Sequence, residues 1–380
     1  MIWLLFILFI IQMFFAFLYR YRDLEPNEVA QTEISLPKVT VLICAKNEAK
    51  NLSEHLPFFI NQDYPEAWEL LIVNDASTDE TSRVLKQFQA SFTNINILNI
   101  NPNDQRVFPG KKHALYRGLK AAQNNIIILS DADCFPKSNQ WILKMANAYK
   151  SQSFKMNTNE VFVLGYGAYE RTGGLLNRFI CWETLHTFIQ YASWAKLGLP
   201  YMGVGRNLMY HRGPVLELLD NDEDFKNQFI KSASGDDDLI VSRLANIENT
   251  IVCDETEAQT VSKSMKSWQK WWQQKTRHVS SGKYYNSISK FGLGLYALSA
   301  FLFWVISFML LFKIPELIGQ ISLLLLSIRI IAFWLNGFFW SKRLKENRII
   351  WFYPIGELMW ALFNLVVSPY IFWKNKKRWK

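Results

Sequence analysis

The chain has 380 residues and a formal net charge of +9, from 42 Lys and Arg against 33 Asp and Glu. Half of the residues are apolar and 20% are charged, which excludes a disordered chain, because there is ample apolar surface to offset the entropy of ordering. Four Cys at 44, 134, 181 and 253, with no CxxC, exclude a disulfide-stapled scaffold.

The chain opens on residues 1–19, MIWLLFILFIIQMFFAFLY, where Gln12 is the only strongly polar side chain. At about 1.5 Å of rise per residue such a helix can cross a hydrocarbon core of ~30 Å. Arg20 and Arg22 follow it. A cleavable signal would carry its basic residues ahead of the apolar run and a small-residue site behind it. The pattern therefore predicts an uncleaved transmembrane anchor, then a linker over 20–37.

From residue 38 the periodicity changes. Residues 38–44 (KVTVLIC) read as a strand, 47–59 as a helix and 69–73 (ELLIV) as a second strand. Residues 77–80 (STDE) supply N-cap chemistry for a helix running to about residue 89. A strand over 95–100, a helix over 111–122 and a strand over 125–130 (NIIILS) follow, then a strand at 161–165 and a helix at 175–195. This alternation predicts an α/β domain over 38–262, a mostly parallel sheet flanked by helices, with ligands bound beyond the carboxyl ends of the strands. Polar clusters stand at those ends: 45–48 after the first strand, 74–79 after the second, 131–133 after the fourth.

Residues 263–290 read as an amphipathic segment at the membrane interface, because Trp268, Trp271 and Trp272 share one helical face with lysines around them. A transmembrane region over 291–373 closes the chain, with apolar stretches at 291–312, 317–339 and 349–373. The last is either a third span or a re-entrant hairpin bent near Pro354 and Gly356. Arg329 and Glu357 are expensive in a bilayer and lie at comparable depth, so they are expected to pair. The basic linker 341–348 (SKRLKENR) and the basic residues after the anchor place both on the cytoplasmic side, and the tail 374–380 (KNKKRWK) is basic as well. These basic residues cluster beside apolar spans, which argues for a membrane and against a nucleic-acid partner.

There is no GxGxxG after the first strand, no P-loop and no HExxH. Four constellations remain. Asp131 and Asp133, two carboxylates just past a buried strand, suit Mg²⁺ or Mn²⁺ bridging a diphosphate. Asp75, just past the second strand, can accept hydrogen bonds from a base or ribose. Asp236, Asp237 and Asp238 crowd three carboxylates before a helix, which raises at least one pKa and offers a general base, although a solvated acidic helix start accounts for two of the three. Gln274 and Arg277, three apart, can reach one anion.

The segments KVTVLICAKNEAKNL, LLIVNDASTDET, GKKHAL, ILSDADC, GVGRN, GDDDLIVSRL and QKTRH occur in the order seen in family 2 glycosyltransferases, and the chain resembles that family over residues 38–285. The resemblance implies a membrane-anchored, inverting enzyme of GT-A fold. It implies a nucleotide-diphosphate sugar donor (a UDP-sugar), a divalent cation, and a lipid, lipid-linked or glycan acceptor at the cytoplasmic face. By the same resemblance Ala45, Glu48 and Asp75 contact the nucleotide and Lys112 sits near the base or ribose. Asp131 is the ribose-side carboxylate and Asp133 the metal ligand. Asp237 is the catalytic base, with Asp236 where Glu is more usual. Gln274 and Arg277 correspond to the QxxRW element that closes over the donor diphosphate, with His278 in place of Trp. Residues 203–207 (GVGRN) line the acceptor site. Three C-terminal spans are few for a polymer channel, which favours a lipid or lipid-linked acceptor. The competing readings are a nucleotidyltransferase and a non-catalytic membrane assembly subunit with a degenerate domain.

Overall fold

A computed structural model describes residues 1–20, 35–232, 234–313 and 316–373. Most of the 20–37 linker and the 374–380 tail lie outside the described residues.

The chain begins with helix α1 (Ile2–Leu18). The α/β part then runs β1 (Val39–Ala45), α2 (Ala49–Ile60), β2 (Trp68–Asp75), α3 (Thr81–Ser91), β3 (Ile95–Ile100), α4 (Lys111–Ala121) and β4 (Ile126–Asp131). It continues through β5 (Cys134–Pro136), α5 (Trp141–Met156), β6 (Phe162–Gly165), β7 (Gly167–Tyr169), α6 (Gly174–Lys196) and β8 (Leu208–His211). The helices α7 (Arg212–Asn221), α8 (Glu223–Lys231) and α9 (Asp238–Leu244) follow, then β9 (Thr250–Cys253), β10 (Thr260–Ser262) and α10 (Trp268–Val279). Helices α11 (Ser287–Leu311), α12 (Leu317–Arg343) and α13 (Tyr353–Trp373) complete it.

Seven strands form one sheet in the order β3-β2-β1-β4-β8-β6-β9. The first four are mutually parallel, and β8 enters antiparallel between β4 and β6. A smaller sheet joins β5, β10 and β7. The β1 run VTVLICA is buried at every position because both sheet faces are covered. Alternate residues divide between two cores: Val39, Val41 and Ile43 pack on one side, Leu42 and Cys44 on the other. The second core is continuous with Tyr296, Phe333, Trp340 and Tyr353 of the C-terminal helices. Because β8 runs backwards, with Leu208 opposite Leu129, the 203–207 loop lies beside the carboxyl end of β4. The strand reversal thus brings GVGRN next to Asp131.

Helices α11 and α12, 25 and 27 residues long, have the length and apolarity to cross a membrane. Helix α1 has 17 residues, about 26 Å at helical rise, slightly short of the ~30 Å core on its own. Its polar residue is not wasted. Gln12 donates from Nε2 to Ser299 Oγ (2.8 Å) of α11, and its Oε1 accepts from Arg329 Nη2 (2.7 Å) of α12. Arg329 also pairs with Glu357 of α13 (2.7 Å), as expected from their depth. Trp340 Nε1 and Asn336 Nδ2 bond to the carbonyls of Tyr19 and Ala16. The N-terminal helix is thereby tied into the C-terminal bundle. The hairpin alternative for 349–373 does not hold: a short 3₁₀ stretch, Asn347–Phe352, leads into one unbroken helix. Pro354 is accommodated in the first turn of α13, where a missing N–H has no cost.

The turn between α12 and α13 docks on the α/β part. Arg343 pairs with Asp254 (3.1 Å), Lys345 with Glu257 (3.6 Å) and Glu346 with Arg171. The basic linker and the sheet domain therefore share one side of the bundle.

Candidate active site

The carboxyl ends of β1, β2 and β4 lie next to one another because these strands are parallel neighbours. Ala45 ends β1 and is fully buried against β2. Glu48 begins α2, and its Oε2 accepts from Asn51 Nδ2 (2.6 Å). Asp75 ends β2, is fully buried, and is gripped by both guanidinium nitrogens of Arg106. Nothing in the spacing pointed to Arg106, which arrives from the loop after β3.

Asp131 ends β4, and Lys111 joins it to the acidic triplet. The Lys111 ammonium lies 2.5 Å from Asp131 Oδ1 and 3.1 Å from Asp236 Oδ2. Lys112, expected beside the donor, also lines the cavity described below, with its ammonium held by backbone carbonyls. It is 4% exposed, donates to the carbonyls of Phe229 (2.6 Å) and Ser232 (2.9 Å), and lies 4.4 Å over the Phe229 ring. Burial pulls its ammonium down to about 8. Adjacent helical residues point about 100° apart, so Lys111 reaches Asp131 and Asp236 while Lys112 reaches the α8 end, and both border the cavity.

The three adjacent aspartates have three different environments. Asp236 is partly buried, but Lys111 and Lys112 outweigh the loss of solvation and hold its carboxyl low. Asp237 caps α9: its Oδ1 accepts from the Asp238 N–H (2.9 Å) and its Oδ2 from the Gly205 N–H (2.5 Å). Burial, then the charge of Asp236, push it up to about 6. Asp238 Oδ2 accepts from Ser281 Oγ (2.9 Å) and Tyr285 Oη (2.8 Å), and burial and the Asp237 charge push it well above the carboxylate range. Like charges this close cannot all ionise together, so unequal surroundings set which one does.

Asp131, Asp236, Asp237, Asp238, Gln274 and Arg277 line one cavity of about 700 Å³. Arg206, from GVGRN, lines it too, donates from Nη2 to the Gly167 carbonyl (2.7 Å), and stacks on Tyr169 at 4.5 Å. The Nε atoms of Arg206 and Arg277 are buried and find no partner among the described residues. Buried donors are normally satisfied, so two unpaired guanidinium N–H groups in one cavity mark a place for an anion. His278 is exposed, with Nε2 3.3 Å from Arg277 Nη2. The Trp face of α10 docks inside the protein: Trp271 is buried against Phe179 and Phe363, and Trp272 also meets Phe363. Asp75, Glu48, Ala45 and Asp133 are not part of the cavity wall, Asp133 standing two residues past the wall residue Asp131.

Residues 40–218 match the family described as Glycosyl transferase family 2. This stretch is a glycosyl transferase family 2 domain. The wider chain is 28% identical over 253 residues to a protein of Bacillus subtilis named "Probable glycosyltransferase YdaM", a match over 66% of this chain and 56% of that one. It is 32% identical over 117 residues to the 4,4'-diaponeurosporenoate glycosyltransferase of Staphylococcus aureus, over 31% of this chain and 29% of that one. The chain thus spans about half the length of the first of these relatives and under a third of the second. Among solved structures, the mannosyltransferase PcManGT from Pyrobaculum calidifontis, in complex with GDP-Man and Mn²⁺, superposes with a TM-score of 0.51 at 16% identity. That superposition covers 96% of this chain and 99% of the other, and shows a shared GT-A-like fold.

The family 2 domain has a donor set that fits a hard divalent cation. Ligand atoms of Asp131, Asp133 and Cys134 lie within 4.8 Å of one another. The two carboxylates suit Mg²⁺ or Mn²⁺. Cys134 does not take part: it is fully buried, its Sγ lies 2.8 Å from Ser262 Oγ, and burial holds its thiol well above the usual range.

Proposed function

We propose that the chain is an inverting glycosyltransferase that moves a sugar from a nucleoside-diphosphate sugar, of the UDP- or GDP-sugar class, to a hydroxyl of a lipid or lipid-linked acceptor. The observation that carries this reading is the continuity of one cavity. It runs from Asp131 and Asp236 past Asp237 to Tyr296 and Ala297 of α11 and Phe363 and Asn364 of α13. The donor's anchoring groups, a base and membrane-type helices thus border one cavity.

In this reading Asp237 takes the proton of the acceptor hydroxyl. Two backbone N–H groups fix its orientation, and its pKa near 6 makes it a base at neutral pH without excessive basicity. The acceptor oxygen attacks the anomeric carbon as the bond from that carbon to the diphosphate oxygen breaks on the opposite face. Negative charge builds on the leaving diphosphate, and Arg277, Gln274 and Arg206 donate to it where it develops. A divalent cation held by Asp131 and Asp133 would supply further charge neutralisation when bound. Asp238, capped by Ser281 and Tyr285, is a positioning residue that locks the loop after α10 to the base. Asp75 and Glu48 frame the nucleotide from the strand ends.

We place α11, α12, α13 and the tied α1 in the membrane, with residues 263–290 at its surface and the sheet domain on the cytoplasmic side, on the side of the basic 341–348 turn. The defining experiment incubates the purified chain with a panel of UDP- and GDP-sugars, Mn²⁺ and extracted membrane lipid, and follows nucleoside diphosphate release. The expected result is release from one donor with the sugar label moving into the lipid extract. Turnover only of UTP or GTP with a sugar 1-phosphate, releasing pyrophosphate, would identify a nucleotidyltransferase, and no turnover with any of these would identify an assembly subunit.

A further inference from the structure

Lys111 breaks a local rule. It opens α4, Lys112 follows it, and the first turn of this 11-residue helix holds no acidic residue and no side-chain cap. A helix start carries partial positive charge and favours anions, so two lysines there oppose the helix dipole. Gly110, just ahead, has φ 58° and ψ −138°, a backbone that glycine reaches without steric cost. Such a rule is broken mainly where another interaction offsets the cost.

Two carboxylates supply that interaction. The ammonium lies 2.5 Å from Asp131 at the end of β4 and 3.1 Å from Asp236 in the loop before α9, and each makes its only ion pair among the described residues with Lys111. The other cavity carboxylates have different company: Asp237 has two backbone N–H groups, Asp238 two hydroxyls, and Glu183 the ammonium of Lys275. Asp131 is also one of the two carboxylates that suit a divalent cation, with its ligand atom within 4.8 Å of that of Asp133. A dication taken up there would share Asp131 with the ammonium. Like charges at that range oppose each other more strongly where protein replaces water. The Lys111 side chain keeps 24% of its surface exposed and lines the cavity, so it has room to leave.

We infer that Lys111 is a placeholder cation: it neutralises Asp131 and Asp236 before the donor binds, opposes a divalent cation arriving alone, and yields Asp131 when the cation arrives with a diphosphate. The negative charge of the diphosphate then faces the ammonium in place of the carboxylate. The inference rests on the glycosyltransferase reading for the diphosphate, and adds that metal and nucleotide enter together. Lys111 acts on the metal through Asp131, so it is a positioning residue. A merely structural lysine, tying β4 to the loop before α9, predicts the opposite sign. Its loss would loosen Asp131 and weaken cation binding, whereas the loss of a competing ammonium strengthens it.

Mn²⁺ binding to the full chain in detergent, without nucleotide, is followed by the loss of the free-ion electron paramagnetic resonance signal. Lys111→Gln and Lys111→Met should bind Mn²⁺ about tenfold more tightly than the wild type, and Lys111→Arg, which keeps the charge, like the wild type. Adding UDP or GDP should tighten Mn²⁺ binding in the wild type, and by about tenfold less in the two neutral variants, since metal and nucleotide affinities are linked. Unchanged or weaker Mn²⁺ binding in the neutral variants overturns the inference, and so does an equal gain in Lys111→Arg. A measurement on the wild type alone needs no variant to fold: acetylation of Lys111 by an N-hydroxysuccinimide ester, read by mass spectrometry, should speed up severalfold when Mn²⁺ alone saturates the protein. An unchanged rate also overturns the inference. If neither nucleotide alters Mn²⁺ binding by the wild type while the neutral variants still bind the bare ion more tightly, the glycosyltransferase reading fails and the competition at Asp131 stands.

Discussion

The molecule buries charge in two places and treats it in opposite ways. In the helix bundle, Arg329 is completely buried, paired with Glu357, accepted by Gln12, and flanked by the Phe333 ring at 4.8 Å. That cluster is closed but for Arg329 Nη1, which is buried without a hydrogen-bond partner among the described residues. In the cavity, Asp236, Asp237 and Asp238 are held by a lysine, by two backbone N–H groups and by two hydroxyls respectively, and guanidinium donors beside them stay unsatisfied. A closed cluster fixes how helices pack. An open one with unequal partners keeps its members in different protonation states and leaves capacity for a ligand.

The two clusters should therefore fail differently. Asp237→Asn removes the base and should lower the transfer rate by about 10²–10⁴, with thermal stability and nucleotide binding retained; steady-state kinetics beside a melting curve checks this. Arg329→Met should do the reverse. It leaves the Glu357 carboxylate buried alone, which costs about 3–5 kcal/mol, while Arg329→Met combined with Glu357→Leu should recover much of that loss. Thermal unfolding in detergent reads both, and turnover per folded molecule should hardly change.

A smaller effect separates the neighbours within the open cluster. Since Asp237 must be unprotonated to act, kcat/KM should fall about tenfold per pH unit below the carboxyl's value of about 6. Asp236→Asn removes a negative charge that raises Asp237, so the acid limb should move to lower pH. A limb that moves up, or stays where it was, would mean that Asp237 is not the group titrating. The smallest effect belongs to the surface: Lys345→Ala, at an ion pair with 66% and 41% of its side chains exposed, should change stability by under about 1 kcal/mol.

Much of this arrangement is legible along the chain because its causes are local. The first four strands are apolar runs that end in polar clusters, and parallel topology carries those clusters to one edge. The pairing of Arg329 with Glu357 followed from depth alone. Helix α5 was legible but missed: Ser138 and Asn139 precede it, and Trp141, Met145 and Tyr149 recur at i, i+4 and i+8. Other features depend on what the chain folds against. The strands of the small sheet are three residues long, too short for any periodicity to show. Choosing between Lys111 and Lys112 needs the rotation of α4, and Arg106 and Glu183 act through partners 31 and 92 residues away, Asp75 and Lys275. The Trp stripe of α10 was readable as a face, but its target is α6 and α13 as well as any lipid surface.

The central claim is that carboxylates in and beside one cavity are divided between holding the donor and activating the acceptor. Calorimetric titration of UDP and GDP with Mn²⁺, run beside transfer assays on Asp133→Asn and Asp237→Asn, tests it directly. The account predicts that Asp133→Asn loses Mn²⁺-dependent nucleotide binding together with transfer, whereas Asp237→Asn binds like the wild type and transfers nothing measurable. If both variants lose binding and transfer to the same degree, the division of roles is wrong.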